Sequence, residues 1–171
     1  TVVNLALMNS RVAERLFGTS RTQELTEFVN LQSCVKEALM LAEIDGVHAM
    51  HDATEGGLIA ALNEIAEASK VGFSAEAGKV QIPEEVNSLQ KSFQLSDEQV
   101  PSMSSTGTIL AAISPEAVDK VEDVLRSNGI EASIMGVFTK NTHRILLKDG
   151  EETLFPKKSD DPYERILLGK L

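Results

Sequence analysis

The sequence predicts an α/β (α+β) fold, in which a single domain holds a mixed β-sheet with helices on its faces. Apolar residues recur at helical spacing in several stretches, and short apolar runs typical of strands alternate with them along the chain. Glycine and proline residues separate the two kinds of segment. The 171 residues are 42% hydrophobic and 25% charged, an ordinary globular balance, and this length suits one core of ordinary size.

The first half of the chain is predicted to alternate between helix and strand. Its elements are, in order, helices over 4–17 and 31–44, a strand over 47–51, a glycine turn over 52–57 and a helix over 58–70. The helical stretches place apolar residues three or four positions apart, and Asp45-Gly46 provides the stop of the second helix. A strand, a glycine turn and a helix therefore follow one another directly.

The second half of the chain is predicted to add strands, a hairpin and further helices. Its elements are a short strand over 71–75, a modest helix after Ile82-Pro83, a long loop over 94–106, a strand over 107–113, a helix over 114–128, a strand over 132–138, a hairpin of 144–147 with 152–155, and a last helix from 161. Ser114-Pro115-Glu116 supplies a cap, a first-turn proline and an acidic first turn, and Asp161-Pro162 opens the last helix similarly. We expect two β-α-β units in the sheet.

The charge and cysteine content exclude several classes of protein. With 26 acidic against 16 basic residues and a net charge of −10, the chain has no basic footprint for nucleic acid. The single Cys34 can form no intramolecular disulfide, and only three histidines are present to build a zinc cluster. No stretch suits a membrane span or a signal peptide. We expect a cytoplasmic protein, and the start without methionine suggests a fragment or a processed product.

The segment Asp52-Ala53-Thr54-Glu55-Gly56-Gly57 is the most informative part of the sequence. A helix that begins at the glycines presents unpaired N–H groups and a partial positive charge, and the missing Cβ atoms allow an anion such as phosphate to approach the backbone. Asp52 and Thr54 can cap the helix, bind a sugar hydroxyl or hold water on a phosphate-bound Mg²⁺. In the alternative interpretation, both only cap the helix, and the glycines only allow helix and strand to pack closely.

The histidines and the cysteine carry weaker signals. On a strand, His48 and His51 would face opposite sides and could not readily share a metal ion, so no metal site is predicted. His51 could act as a single catalytic base, although a structural imidazole is the commoner case. Cys34 is expected on the second helix as a small packed residue, because no basic neighbour is evident in the sequence to activate its thiol.

Two segments carry a resemblance to a known family. The first is His-Ala-Met-His-Asp-Ala-Thr-Glu-Gly-Gly-Leu at 48–58 with Leu-Asn-Glu-Ile-Ala at 62–66, and the second is Ser-Ser-Thr-Gly-Thr-Ile-Leu-Ala at 104–111. In this order they resemble the C-terminal domain of the AIR synthase-related (PurM-like) superfamily, and within it the HypE-like hydrogenase maturation proteins. The resemblance runs from about Arg11 to Leu168.

The resemblance implies a two-domain enzyme that works as a homodimer and uses ATP with Mg²⁺ to activate an oxygen of a carbonyl, a phosphate or a similar group. Residues 1–171 would form the domain that closes the cleft on a small phosphorylated ligand. Residues 1–10 would be a possible linker from a missing N-terminal domain that holds most of the ATP and Mg²⁺ ligands. The resemblance implies catalytic roles for Asp52 and Thr54. It implies phosphate or ligand binding by Glu55, Gly56, Gly57, Ser104, Ser105, Thr106 and Gly107.

Three features depart from the HypE-like pattern. Glu55 stands where arginine is usual, Ala53 stands where proline is usual, and the last residues, 168–171, include no cysteine for the reaction that HypE-like enzymes perform on their own tail. We therefore expect no such reaction, and we expect the isolated domain to be inactive toward ATP. A non-catalytic module that binds a metabolite or a protein is an alternative, and a purely structural dimer partner is a third.

Overall fold

A computed structural model, which describes residues 1–170, confirms the predicted α/β class and single domain with a mixed sheet. The helices are α1 Val2–Met8, α2 Ser10–Phe17, α3 Thr19–Glu27, α4 Val35–Ala42, α5 Gly57–Ser69, α6 Glu84–Phe93, α7 Gln99–Ser102, α8 Val118–Ser127 and α9 Tyr163–Leu167. The strands are β1 Val47–Asp52, β2 Gly72–Glu76, β3 Ile109–Ile113, β4 Gly136–Thr139, β5 Arg144–Lys148 and β6 Glu151–Leu154. Short 3-10 turns occupy Phe28–Gln32, Ala77–Lys79 and Pro115–Ala117.

The strands form two sheets. β4, β2, β5 and β6 lie side by side, with β2 antiparallel to β4 and parallel to β5. β1 and β3 form a separate antiparallel pair, in which Asp52 lies opposite Ile109. The expectation of two β-α-β units was wrong, because the strands that flank α5, β1 and β2, and those that flank α8, β3 and β4, lie in different sheets. Periodicity does not reveal a strand's partner. The predicted hairpin is confirmed by the pairing of Lys148 with Glu151.

Two helices differ from their predicted bounds. The stretch 4–17 forms two helices that meet at Asn9, where φ is −142° and the side-chain amide donates to Leu167 O at 2.9 Å. A tertiary contact therefore stabilises a break that the apolar periodicity does not reveal. In the stretch 31–44 a 3-10 turn comes first, so Cys34 lies at the N-cap of α4 and not on a helix.

Other bounds shift for similar reasons. The predicted long loop over 94–106 contains α7. The strand predicted over 132–138 begins only at Gly136 and runs to Thr139, the stretch that pairs with β2. Helix α3 was not predicted. Residues 1–10, for which a linker role was expected, include α1, and its Leu5 is fully buried.

Three hydrophobic clusters hold the elements together. The first joins the N-terminal helices to α6 and α9 around Leu5, Leu89 and Ile166. The second lies between α5 and the four-stranded sheet, where Ile59 and Phe73 are buried. The third packs α4 and α8 against β1 and β3. The glycine turn between β1 and α5 therefore links the third cluster to the second.

Over residues 1–170, none of the helices has the length and apolar character needed to cross a membrane.

Candidate functional site

The glycine turn joins the last residue of β1, Asp52, to the first residue of α5, Gly57. Gly56 takes the left-handed conformation with φ of 71°, and Gly57 follows with φ of 58°. A Cβ atom on Gly57 would lie 2.5 Å from Pro101 O and 2.6 Å from Met103 O. Only glycine therefore allows the chain at 101–103 to approach the start of α5, which supports the packing interpretation for Gly57.

The main chain of Gly56 is bound by residues near the end of the chain. Its N–H donates to Asp161 Oδ2 at 3.2 Å, and its carbonyl accepts from the Ser159 hydroxyl at 2.8 Å. Asp161 Oδ1 also accepts from Ser104 N at 3.2 Å and from Tyr163 N at 2.9 Å. The sequence predicts Asp161 as the cap of the last helix, whereas the N-cap of α9 is Pro162 and Asp161, one residue earlier, accepts from the amide of the first helical residue. The sequence gives no sign of the other two contacts.

The first turn of α5 keeps unpaired donors. Ala60 N bonds to Gly56 O at 3.1 Å, whereas the amides of Gly57, Leu58 and Ile59 make no hydrogen bond within residues 1–170. Such amides carry the partial positive charge of a helix N-terminus. Three amides at the start of α5 are thus unpaired, although Gly57 and Ile59 are buried and the amide of Gly56 itself is used by Asp161.

The predicted serine-glycine loop is fastened to the glycine turn through Ala53. Ser105 N donates to Ala53 O at 2.9 Å, Ala53 N donates to Thr108 O at 2.9 Å, and the hydroxyls of Ser105 and Thr108 lie 2.9 Å apart. Ser104 is buried, and Thr106 is half-buried. The resemblance placed these two segments near one site, and their backbones are indeed adjacent.

Gly107 ends this loop in a position where a side chain would not fit. Its φ is 92°, and a Cβ atom would lie 2.0 Å from Leu31 O and 3.0 Å from Gln32 Cα. The 3-10 turn before α4 therefore packs directly on the loop. This contact forms one wall of an open cleft.

The cleft has a volume of about 500 Å³ and lies between β1, β3 and the start of α4. Three of the predicted residues, Asp52, Thr54 and Gly107, line it. Glu55, Gly56, Gly57, Ser104, Ser105 and Thr106 are not among its lining residues. The sequence motifs do not indicate the remaining wall, which is formed by Gln32, Ser33, Cys34, Val35, Ala38, Met50, His51 and Ile109.

Asp52 presents a carboxylate to this cleft. The Thr54 hydroxyl donates to Asp52 Oδ2, and this hydrogen bond does most to lower the pKa of Asp52 below its usual value. Nearby backbone amides and the charge of His51 lower it further. The Asp52 side chain is half exposed. An ionised carboxylate held by a hydroxyl can accept hydrogen bonds from a ligand or hold water on a cation.

His51 is held between two acceptors. Its Nδ1 lies 2.6 Å from the carbonyl oxygen of Asp52, and its Nε2 lies 2.6 Å from Glu64 Oε2. A carbonyl accepts only, as does an ionised carboxylate, so this geometry requires a proton on both ring nitrogens. The hydrogen bond to the Asp52 backbone raises the pKa of His51 most; burial opposes it as the next largest effect, and the Glu64 carboxylate adds to the rise. This geometry favours the charged form of the His51 ring on the cleft wall, and with both nitrogens engaged the ring is badly placed to act as a base.

Neither His48 nor Glu55 joins this arrangement. His48 and Glu55 are exposed, and neither makes a side-chain hydrogen bond or ion pair with the described residues. No group of three or more His, Cys, Asp or Glu side chains within residues 1–170 is arranged to hold a metal ion.

These features define an α/β domain whose cleft opens beside a glycine turn at a helix N-terminus. The sequence model of the family described as AIR synthase related protein, C-terminal domain, matches residues 5–148, and the chain belongs to this family. The resemblance based on the two motif segments is thereby confirmed.

Individual relatives agree with this assignment. Phosphoribosylformylglycinamidine synthase subunit PurL of Moorella thermoacetica is 35% identical over 107 residues, which cover 63% of this chain and 12% of PurL. The crystal structure of Escherichia coli HypE has a TM-score of 0.68 at 23% identity and covers 78% of this chain and 41% of that chain. Hydrogenase maturation protein HypE in complex with ATP has a TM-score of 0.58 at 22% identity, covering 67% of this chain and 36% of that chain. The chain spans less than half the length of each of these proteins.

Proposed function

We propose that this chain is the cleft-closing C-terminal domain of an ATP-dependent enzyme related to AIR synthase and HypE, in which the glycine turn helps to bind a phosphate or oxyanion. One observation carries the proposal. Three unpaired amides, at residues 57–59, begin α5 three residues after Thr54, which lines the cleft together with Asp52. Backbone donors of this kind stabilise negative charge without having to reorganise.

Asp52 and Thr54 are the proposed catalytic pair. Thr54 holds the Asp52 carboxylate in one orientation and keeps it ionised. In that state Asp52 would accept a hydrogen bond from a sugar hydroxyl or from water on Mg²⁺.

The residues of this chain fit part of an ATP and Mg²⁺ site. Unpaired amides suit phosphate oxygens, and a carboxylate with neighbouring hydroxyls suits a hydrated Mg²⁺. ATP in complex with the related HypE supports this choice of cofactor. When bound, ATP supplies the phosphoryl group that activates the substrate oxygen. The lysine or arginine that would neutralise its phosphates is proposed to lie in an N-terminal domain of the same dimeric enzyme.

Ser104, Ser105, Thr106 and Gly107 are proposed to form the second side of this site. Their loop is tied to Ala53 by two backbone hydrogen bonds through Ser105 and Thr108. Gly107 lines the cleft together with Asp52, so the position of this loop affects the width of the cleft. Substrate contacts by Ser104 and Ser105 would run through the side-chain hydroxyls, because their amides are already bonded.

Glu55 favours a second candidate function. Its exposed carboxylate lies two residues before α5 and would repel a phosphate unless it binds through Mg²⁺. A module that binds an uncharged metabolite or a protein without catalysis would tolerate this charge.

A titration of the isotope-labelled chain with Mg²⁺-ATP, followed by amide NMR, tests the proposal. We expect the largest shifts at Gly57, Leu58 and Ile59. Asp52→Asn should weaken the binding about tenfold or more, the effect of losing one hydrogen bond to a charged group. Asp123→Asn, on the exposed surface of α8, serves as the control and should bind like the parent chain.

Each other result has a defined meaning. Shifts confined to residues away from the cleft, or equal binding by the Asp52→Asn variant, would refute the ligand site. Shifts with ADP and adenosine as large as with ATP would favour the metabolite-binding module. The chain alone should hydrolyse no ATP, and turnover abolished by Asp52→Asn would show that the site is complete within these residues.

A further inference from the structure

We propose that Asp161 is a positioning residue, which fixes the glycine turn and the serine-glycine loop relative to one another. An effect of Asp161 on ligand binding rests on the proposed function, since these two segments form the proposed site. Asp161 does not line the cleft and would touch no ligand there. It would act through the backbones of Gly56 and Ser104.

The contacts of the Asp161 carboxylate exceed what a helix cap needs. A cap-like contact with the start of α9 requires only the hydrogen bond from Tyr163 N, two residues away. The same carboxylate also accepts from Gly56 N, 105 residues away, and from Ser104 N, 57 residues away. Hydrogen bonds to an ionised acceptor are stronger than neutral ones, so a single side chain ties three segments together.

Neighbours of Asp161 act on the same two segments. The Ser159 hydroxyl donates to Gly56 O, so both main-chain polar groups of Gly56 are bound by residues 159–161. Asp160 N donates to the buried Ser102 hydroxyl at 3.3 Å. Ser102 belongs to the stretch 101–103 that packs against Gly57. Residues 159–161, which we call the strap, thus bind the left-handed Gly56, the residue just before α5.

The strap lies beyond the residues that define the family. The family match covers 5–148 and includes the glycine turn and the serine-glycine loop but not residues 159–161. The side chain that positions both family segments therefore comes from a part of the chain that the family pattern does not describe.

Amide hydrogen exchange of the chain without ligand tests the inference, with Asp161→Asn as the variant and Asp160→Asn as the matched control. Asparagine keeps the shape of the side chain but turns an N–H₂ group toward a donor. Asp160 is exposed, and its carboxylate contacts only the side chain of Gln99 among the described residues. We expect exchange at Gly56 and Ser104 to rise about tenfold or more in Asp161→Asn, and to stay unchanged in the control. Amide resonances of Asp52 and Gly107 should move as well.

Three results would overturn the inference. Changes confined to Tyr163 and the rest of α9 would show that Asp161 is only a cap. Equal changes in the Asp160→Asn control would assign the effect to the strap as a whole. A uniform rise that includes the buried Val121 and Leu125 of α8 would indicate global destabilisation.

Mg²⁺-ATP then separates this inference from the proposed function. If the parent chain binds Mg²⁺-ATP, Asp161→Asn should weaken binding while Asp160→Asn does not, and equal binding by all three would overturn the positioning role. If neither the parent chain nor the protein joined to its N-terminal domain binds Mg²⁺-ATP, the proposed function fails, while the exchange pattern still decides whether Asp161 fixes the two segments.

Discussion

Glu64 binds His51 across the glycine turn, with Glu64 Oε2 lying 2.6 Å from His51 Nε2. His51 is in β1 and Glu64 is in the second turn of α5, so this contact closes the outside of the strand-turn-helix unit. Because the other ring nitrogen faces the Asp52 carbonyl, the imidazolium links the helix to the backbone of the residue that carries the proposed catalytic carboxylate.

This contact predicts a pH dependence of stability. The pKa of His51 is raised in the folded chain, so the charged ring stabilises the fold fully below its unfolded pKa of about 6.5. The stabilisation is lost as the pH rises through the folded pKa. The difference in free energy of unfolding between the parent chain and His51→Gln should therefore shrink from pH 6 to pH 8, as measured by urea denaturation.

Glu64→Gln provides the control for this pH dependence. Without the carboxylate the pKa of His51, followed by NMR of its ring carbon, should fall toward its ordinary value. A pKa that is unchanged in Glu64→Gln would contradict the assigned pairing.

Gly57→Ala should strongly destabilise the chain. The new Cβ atom would meet Pro101 O and Met103 O at about 2.5 Å in addition to the unfavourable φ, and we expect a loss of about 3 kcal/mol in urea denaturation. Gly129→Ala is the matched control, because Gly129 has φ of 69° with open space around it and should lose only about 1 kcal/mol. Similar losses in both would mean that backbone conformation alone requires glycine at 57. Gly57→Val would disturb the fold for the same reason.

Cys34 should report on ligand binding in the cleft. It is the only cysteine in the sequence, it is half-buried, and it lines the same cleft as Asp52, so alkylation of the chain by iodoacetamide measures access to that wall. We expect Mg²⁺-ATP to slow alkylation, as followed by mass spectrometry, and Asp52→Asn to remove the protection. Alkylation that proceeds equally with and without nucleotide in the parent chain would contradict a ligand in this cleft.

Asn63 should be important for stability and not for ligand binding. Its buried amide donates to Ile59 O and Pro156 O, and its carbonyl accepts from Arg144 at 2.8 Å. Asn63→Ala leaves these groups without a partner and should cost about 3 kcal/mol in thermal or urea unfolding. Binding of Mg²⁺-ATP below the unfolding transition should be retained, and a selective loss of binding would contradict this division.

The sequence predicts those parts of the site that depend on residues close together in the chain. The apolar period from Leu58 and the glycines before it correctly predict where α5 begins, because helix and turn signals lie within a few residues of each other. The same holds for the β5–β6 hairpin. Asp52 and Thr54 also lie in the cleft, as their place beside the turn suggests.

The remaining parts depend on contacts between distant residues, which periodicity cannot show. Gly107, from the predicted strand 107–113, packs on Leu31, from the predicted helix 31–44, and this contact forms one wall of the cleft. It brings Cys34 and Asp52 into the same cleft. The bond from Gly56 to Asp161 has no local signal at all, because Asp161 has the sequence of an ordinary helix cap. The pairing of β1 with β3 in a separate sheet also joins residues far apart in the chain, so periodicity does not reveal it.

The distance along the chain between Asp161 and its partners also bears on folding kinetics. Closing a loop of 105 residues to reach Gly56 carries an entropic cost that contacts between neighbouring residues do not have. We therefore expect the Asp161 contacts to form after the local helices and hairpins. The carboxylate that binds both the glycine turn and the serine-glycine loop would thus join them at a late stage of folding.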